Sequence, residues 1–269
     1  MSFKICLDPG HGEGYNPSPC GFGYSEGTRM YELSLILAEE LEKYTDNKGE
    51  PVTVVNTRKN IRMSPSLYDR AATAKGCDLL LSLHTNAVGN GISNGTDYVA
   101  VFHSIDDDDH AFAYAMAQAI AEAMDTKQKP QELTRLNSSE TDDYYGVIRM
   151  AKNYFKVRSL LLEQSFHTDT DATRWLMSDA NLRRLAQAEA AVVAKEYNLA
   201  KEDEGMRYNT VADLKADKEY GAAYLPTVEK LIKKGYLKGK GGEGDDLVID
   251  LTEDSVRLLV ILDRAGNFD

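Results

Sequence analysis

Cysteine is scarce in this sequence and poorly placed for cross-linking. Cys6, Cys20 and Cys77 are three in number and widely spaced, so reduced structural thiols are expected rather than a disulfide framework or a thiolate zinc site. Also missing is any run near the ~18 consecutive apolar residues of a membrane span. The N-terminus lacks a basic segment followed by an apolar one, the mark of a secretory signal. These absences lead us to expect a soluble chain made in the cytoplasm. Positive charge is in deficit: 31 Lys+Arg stand against 43 Asp+Glu, a net charge of -12 over 269 residues. Nucleic acid is therefore not expected as a partner, because displacing counterions from a polyanion needs clustered Lys and Arg. No H-E-x-x-H helix, phosphate-cradling Gly-Lys loop or G-x-S-x-G elbow occurs, which leaves those three routes to catalysis without a motif.

What is present is an alternation of short apolar runs with helix-period segments, the pattern of an α/β domain with a mostly parallel central sheet flanked by helices. Strands are predicted at Phe3–Leu7, Val52–Thr57, Asp78–His84, Thr96–Phe102 and Val157–Glu163. Helices are predicted at Arg29–Tyr44, Ser66–Ala74, Asp109–Met124 and Asn181–Tyr197; in the first, Leu33, Ile36, Leu37 and Leu41 make one apolar stripe. The run Asp106–Asp109 precedes the third helix, where capping and solvation are expected in preference to calcium binding. The polar break Lys201–Gly205 divides residues 1–200 from a small unit, 201–269, with helical patterns at Tyr208–Leu214, Leu225–Lys234 and Thr252–Arg264. That unit is predicted to be a small, mainly helical domain.

Three predicted strands end in residues able to do chemistry. The first runs into Asp8-Pro9-Gly10-His11-Gly12, a tight turn that leaves His11 at the strand's carboxyl edge; the others end in His84 and Glu163. In open α/β sheets the crevice beyond the strand carboxyl ends is where ligands bind. Two imidazoles and a carboxylate are a common ligand set for catalytic zinc. The carboxylate ligand is open among Glu13, Glu26 and Glu32. Glu13 is only two residues from His11, Glu32 is fixed inside the helix, and Glu26 lies in the loop ahead of it. Glu26 is favoured and Glu32 is the runner-up. Glu163 closes an apolar run, where a carboxylate is costly to bury unless paired or used. His103 and His110 flank the acidic run and are expected at the surface, while His167 is expected to support the pocket.

The segments Ile5–Gly12, Gly23–Glu26, Asn56–Arg58, Ser66–Arg70, Leu81–Ala87 and Leu160–Phe166 resemble, in order and spacing, those of the zinc-dependent N-acetylmuramoyl-L-alanine amidases (amidase type 3). The resemblance covers roughly residues 1–198. It implies one catalytic α/β domain that hydrolyses the amide between N-acetylmuramic acid and the L-alanine of the stem peptide in bacterial peptidoglycan. It further implies Zn2+ held by His11, Glu26 and His84, with Glu163 as the catalytic carboxylate, and it selects Glu26 by its distance from His11 and from Leu37-Ala38. Met30 departs from the family, which often has Asn there. Asn86 and Arg70 are candidates for substrate contacts, with an acidic partner the plainer role for Arg70; Tyr144, Tyr145 and Arg149 are candidates for a groove wall.

Residues 206–269 are similar to one S-layer-homology-type repeat, which implies wall attachment or, for a lone copy, a homodimer through this unit. Action at the cell wall after release, in phage or prophage lysis or in autolysis, is the setting these features suit. Two rival readings are a non-catalytic wall-binding protein and a zinc peptidase cutting within the stem peptide. Because bacterial walls are often polyanionic, the net charge of -12 opposes approach, and residues 206–269 are expected to supply the recognition that bulk charge does not.

Overall fold

A computed structural model describes residues 2–201 and 207–268. The chain divides into two compact units, residues 1–202 and 203–269; of the polar break, residues 202–205 lie outside the described residues.

The first unit is an α/β domain. Its elements are β1 (Lys4–Pro9), α1 (Glu26–Leu41), β2 (Tyr44–Thr45), β3 (Thr53–Asn56), α2 (Leu67–Thr73), β4 (Leu79–Asn86), β5 (Ala100–His103), α3 (His110–Met124), β6 (Gln131–Leu133), α4 (Gly146–Met150), β7 (Arg158–Phe166), α5 (Thr170–Leu176), α6 (Asp179–Tyr197) and β8 (Ala200–Lys201). Six strands form one sheet in the order β3-β1-β4-β7-β5-β6. The first four are mutually parallel, and β5 runs antiparallel to β7. β1, β4 and β7 therefore deliver their carboxyl ends to one edge.

Strand alternation sorts the apolar residues onto two faces. Ile5, Leu7, Leu79, Leu81, Leu83, Leu160 and Leu162 pack with the stripes of α1, α3 and α6, including Leu33, Leu37, Met116 and Leu185. Cys6, Leu80 and Leu161 face the other way, toward Ala71 of α2, Ala74 just after it, and Val147 and Ile148 of α4. Cys6 and Cys77 are buried free thiols, and Cys20 is a half-buried one. Because β1, β4 and β7 are covered on both faces, they read in sequence as nearly unbroken apolar runs. Met30 is fully buried, an apolar part of the core.

Several expectations need correction. The helix predicted from Arg29 begins three residues earlier, so Glu26 opens α1 instead of preceding it. Asp109 holds the N-cap position of α3 without capping it, because its carboxylate pairs with Arg158 at 2.8 Å. His103 is buried, and only His110 is at the surface. The edge strand β6, α4 and α5 were not predicted; each is short, and α5 is set by Asp169, which accepts from the backbone N–H groups of Asp171 and Ala172.

α6 carries a carboxylate with no exposure at all, Glu189, whose Oε1 accepts from Gln164 Nε2 at 2.8 Å and whose Oε2 has no partner. Burial pushes its carboxyl up to about 8. The folded chain thus keeps a proton that the unfolded chain releases near its ordinary carboxylate pKa, so stability is lost as pH rises from about 4.5 toward 8. Glu189→Gln removes that proton linkage and keeps an acceptor for Gln164. Urea unfolding should find the variant close to wild type near pH 5 and more stable by roughly 3 to 4 kcal/mol at pH 8. A difference independent of pH would overturn this assignment.

The second unit is described by itself: β9 (Arg207–Thr210), α7 (Val211–Ala216), α8 (Gly221–Lys233), β10 (Val248–Thr252) and α9 (Glu253–Arg264). The segment predicted as one helix from Tyr208 to Leu214 is split. Tyr208 belongs to a strand paired antiparallel with β10, and Thr210 closes a capping box with Asp213 that starts α7. The unit has its own apolar centre, formed by Tyr208, Leu214, Tyr224, Val228, Ile249 and Val256. Among the described residues, no helix is long and apolar enough to cross a membrane.

Candidate active site

The carboxyl end of β1 is held by a buried ion pair. Asp8, 1 % exposed, accepts from Arg70 Nη1 at 2.8 Å, from Thr57 Oγ1 at 2.7 Å and from Ser82 Oγ at 2.8 Å. Arg70 also donates to the backbone carbonyls of Pro9 at 2.7 Å and His11 at 2.6 Å. These bonds hold the turn in which His11 adopts a left-handed backbone, φ 59°, a conformation that non-glycine residues seldom adopt without surrounding support. Gly10 has a steric role: a Cβ there would lie 2.3 Å from Cε1 of His84, so only glycine lets that ring approach the turn.

Glu26 enters from α1. It is 1 % exposed and sits at the helix N-terminus, whose unpaired N–H groups favour an anion. Gly27 allows this entry, because a Cβ on it would meet the carbonyl oxygen of Gly12 at 1.8 Å. Oε1 of Glu26 lies 2.8 Å from His84 Nδ1 and 3.4 Å from His11 Nε2, and it accepts from the Thr85 N–H at 3.1 Å. Oε2 accepts from Asn16 Nδ2 at 2.7 Å. Burial works to raise the Glu26 carboxyl, but the hydrogen bonds to His11 and His84 outweigh it and hold the group well below the usual carboxylate range. Burial opposes charge on His84 too, yet Glu26 brings that imidazole up to about 9.

One nitrogen each from His11 and His84 and one oxygen of Glu26 all lie within 4.8 Å of one another. The other two candidate carboxylates are elsewhere. Glu32 is ion-paired with Arg29 and 40 % exposed, and Glu13 is exposed in the loop. The converging atoms are lone-pair donors around a buried anion, an arrangement that a divalent cation satisfies.

Glu163 arrives from β7, in register with His84 on β4. It is buried, and its Oε2 has no partner. Burial pushes the carboxyl up to about 7, with His84 opposing the rise and Glu26 adding to it. Just beyond, the β4–β7 register shifts and Ser165 takes φ 61°, a bulge that re-aims the strand end. A cavity of about 210 Å³ opens beside these groups, lined by His11, His84, Arg70, Pro65, Leu67 and Val147.

Arg70 lines that cavity with its guanidinium already engaged by Asp8 and the carbonyls of Pro9 and His11, so its visible work is to position His11. Asn86 is half-buried at the end of β4, and its Oδ1 accepts from the Ala87 N–H at 2.8 Å. His167 Nδ1 lies 3.0 Å from Thr85 Oγ1, which in turn lies 2.7 Å from the Tyr24 hydroxyl. Tyr145 is pushed up to about 12 by burial and by the charge of Glu163. Tyr144 is exposed under the Arg135 guanidinium, 3.6 Å from its ring, and Arg149 donates to the carbonyls of Asp143 and Tyr144. Sequence reasoning missed Asn16, Thr85 and the fully buried Arg58, which donates to the Gly27 carbonyl at 2.6 Å. Arg58 lies in a quoted segment, but no local pattern marked the role of any of the three.

Residues 5–195 match the family described as N-acetylmuramoyl-L-alanine amidase (Amidase_3). A curated relative, the N-acetylmuramoyl-L-alanine amidase CwlM of Bacillus licheniformis, is 25% identical over 199 residues, which are 74% of this chain and 70% of that one. Among solved structures, the catalytic domain of the amidase CwlV from Bacillus (Paenibacillus) polymyxa var. colistinus superposes with a TM-score of 0.59 at 18% identity, covering 74% of this chain and 99% of that one. An N-acetylmuramoyl-L-alanine amidase from Clostridium difficile 630 does so with a TM-score of 0.59 at 20% identity, covering 73% and 97%. At these identities the structural likenesses establish a shared fold.

Proposed function

This chain belongs to the Amidase_3 family of N-acetylmuramoyl-L-alanine amidases, and from that premise we propose that it hydrolyses the bond between N-acetylmuramic acid and L-alanine with Zn2+ held by His11, Glu26 and His84. The observation that carries this reading is the convergence of those three donors, from the turn after β1, the start of α1 and the end of β4, beside Glu163 on β7 and next to an open cavity. A His-His-carboxylate set that leaves one position free is characteristic of catalytic zinc. Asn16 and Thr85 hydrogen-bond the Glu26 carboxylate and fix its direction, as outer partners of ligands commonly do. When bound, the ion supplies Lewis acidity toward the scissile carbonyl and toward water.

Glu163 is the proton carrier. Its carboxylate takes a proton from the attacking water, and the resulting acid gives that proton to the departing amine of L-alanine. A carboxyl at about 7 is matched to both halves of this exchange near neutral pH. Arg70 and Asp8 hold the His11 turn, and Gly10 admits the His84 ring. The apolar cavity wall at Leu67 and Val147 supplies surface for the substrate, and Asn86 at the end of β4 a polar contact. Hydrolysis of this bond frees stem peptides and opens the wall, in phage lysis or in autolysis alike. Residues 203–269 act as the accessory unit that retains the enzyme on wall polymer.

A digestion tests the reaction and a cosedimentation tests the accessory unit. Purified peptidoglycan treated with the enzyme should release peptides that begin with free L-alanine and leave glycan with intact N-acetylmuramic acid, read by mass spectrometry. Products cut within the stem peptide would assign a peptidase instead, and no products would leave a binding protein. A chain ending at Ala200 should cosediment less with the same walls; equal cosedimentation would refute retention by the second unit.

A further inference from the structure

A second pair of imidazoles converges on a carboxylate away from the candidate active site. His103 closes β5, His110 opens α3 and Glu132 is the middle residue of β6; one donor atom from each lies within 4.8 Å of the others. His103 Nε2 lies 3.0 Å and His110 Nδ1 2.7 Å from the same oxygen, Oε1 of Glu132. The two rings meet edge to face with centroids 4.8 Å apart. In the antiparallel β5–β7 ladder Ala100 stands opposite Glu163 and His103 opposite Leu160, so this group lies roughly 10 Å along the sheet from Glu163, toward the N-terminal end of β7.

The hydrogen bonding of His103 leaves two acceptors facing each other. Its Nδ1 is 3.0 Å from the backbone carbonyl oxygen of Ser104. A carbonyl only accepts, so Nδ1 carries the hydrogen and Nε2 of the neutral ring presents a lone pair to Glu132. Two acceptors 3.0 Å apart need either a hydrogen or a metal ion between them. The His103 side chain has no solvent exposure, so its ring is held in this direction by protein groups alone. A ring N–H donated to a backbone carbonyl is also the usual way that a metal-binding histidine is oriented. His110 is 64 % exposed, so the ion's remaining positions face solvent and an entry path exists.

We propose that His103, His110 and Glu132 form a second site for a divalent transition metal of the Zn2+ class, tying β5, α3 and β6 together. Two imidazoles and one carboxylate suit such ions rather than calcium or magnesium, which take mainly oxygen ligands. The neighbouring acidic run adds no ligand to this cluster; Asp106 pairs with Lys152 and Asp109 with Arg158.

Equilibrium dialysis of the full chain against micromolar Zn2+, followed by elemental analysis, tests the proposal. Wild type should hold two ions per chain, His110→Ala one, His84→Ala one and the double variant none. In the His84→Ala background, Zn2+ should raise the thermal midpoint, and adding His110→Ala or Glu132→Gln should abolish that rise. A His84→Ala chain that holds no zinc, or holds as much with His110→Ala added as without it, overturns the proposal and leaves an imidazolium–carboxylate pair. Failure of the first site gives a different pattern: wild type and His84→Ala each hold one ion, and His110→Ala holds none.

Discussion

Glu163→Gln should bind as many zinc ions as the wild type and lose about 10²- to 10⁴-fold in the release of L-alanine-terminated peptides, the span usual for a positioned acid–base group. Glutamine keeps the volume and one carbonyl acceptor but cannot take up or return a proton. Glu163 is buried with an unpartnered Oε2, so an uncharged amide relieves a desolvation cost and the fold should survive the change. The metal readout separates loss of proton transfer from loss of the site. Retained turnover with zinc bound would remove Glu163 from the mechanism, and turnover lost together with zinc would make it a positioning residue for the ligands.

Glu26→Ala should lose the ion that supports turnover, with affinity reduced by more than about 100-fold, since loss of an outer hydrogen-bond partner alone reaches 10- to 100-fold. Glu32→Ala should keep both metal and activity. The contrast is physical: Glu26 is a nearly inaccessible anion in contact with both imidazoles, whereas Glu32 is ion-paired with Arg29 at the surface. Removing the Glu26 carboxylate leaves His11 and His84 facing each other with no negative charge between them, so the remaining pair cannot compensate. Zinc content after dialysis, measured on both variants beside wild type, decides the matter. The reverse pattern would transfer the ligand role to Glu32.

The elements that were easiest to read were those with a continuous local signal. β4 and β7 announce themselves by Leu79–Leu81 and Leu160–Leu162, and α1 by its Leu33–Leu37–Leu41 stripe. β6 has three residues, Gln131–Leu133, at the sheet edge, and its pairing comes from β5 rather than from its own pattern. The reversed direction of β5 was equally hidden, because period-two alternation is the same in either direction. Within the site, His11, His84 and Glu163 could be placed at strand ends because turn residues and apolar runs mark where strands stop. Arg70 was read as a substrate contact or as the partner of an acid, and it is the partner of Asp8; Asn16 and Thr85 offered no such mark.

By itself, then, the sequence determined the α/β class, the strand ends at which reactive side chains emerge, and the exclusion of several other catalytic routes, since all of these rest on periodicity and residue type within a few positions. Sequence favoured Glu26 among three carboxylates, and tertiary structure supplied the contact that brings it to the imidazoles. Glu26 and His84 are 58 residues apart in the chain yet 2.8 Å apart in space, through the parallel β1–β4 register and the entry of α1 over Gly12. It also decided that Arg70 is buried on Asp8, and that His103, assigned to the surface on its acidic neighbours, lies inside against Glu132. Local composition gives the exposure a residue tends to have, whereas register and crossover geometry decide the company it keeps.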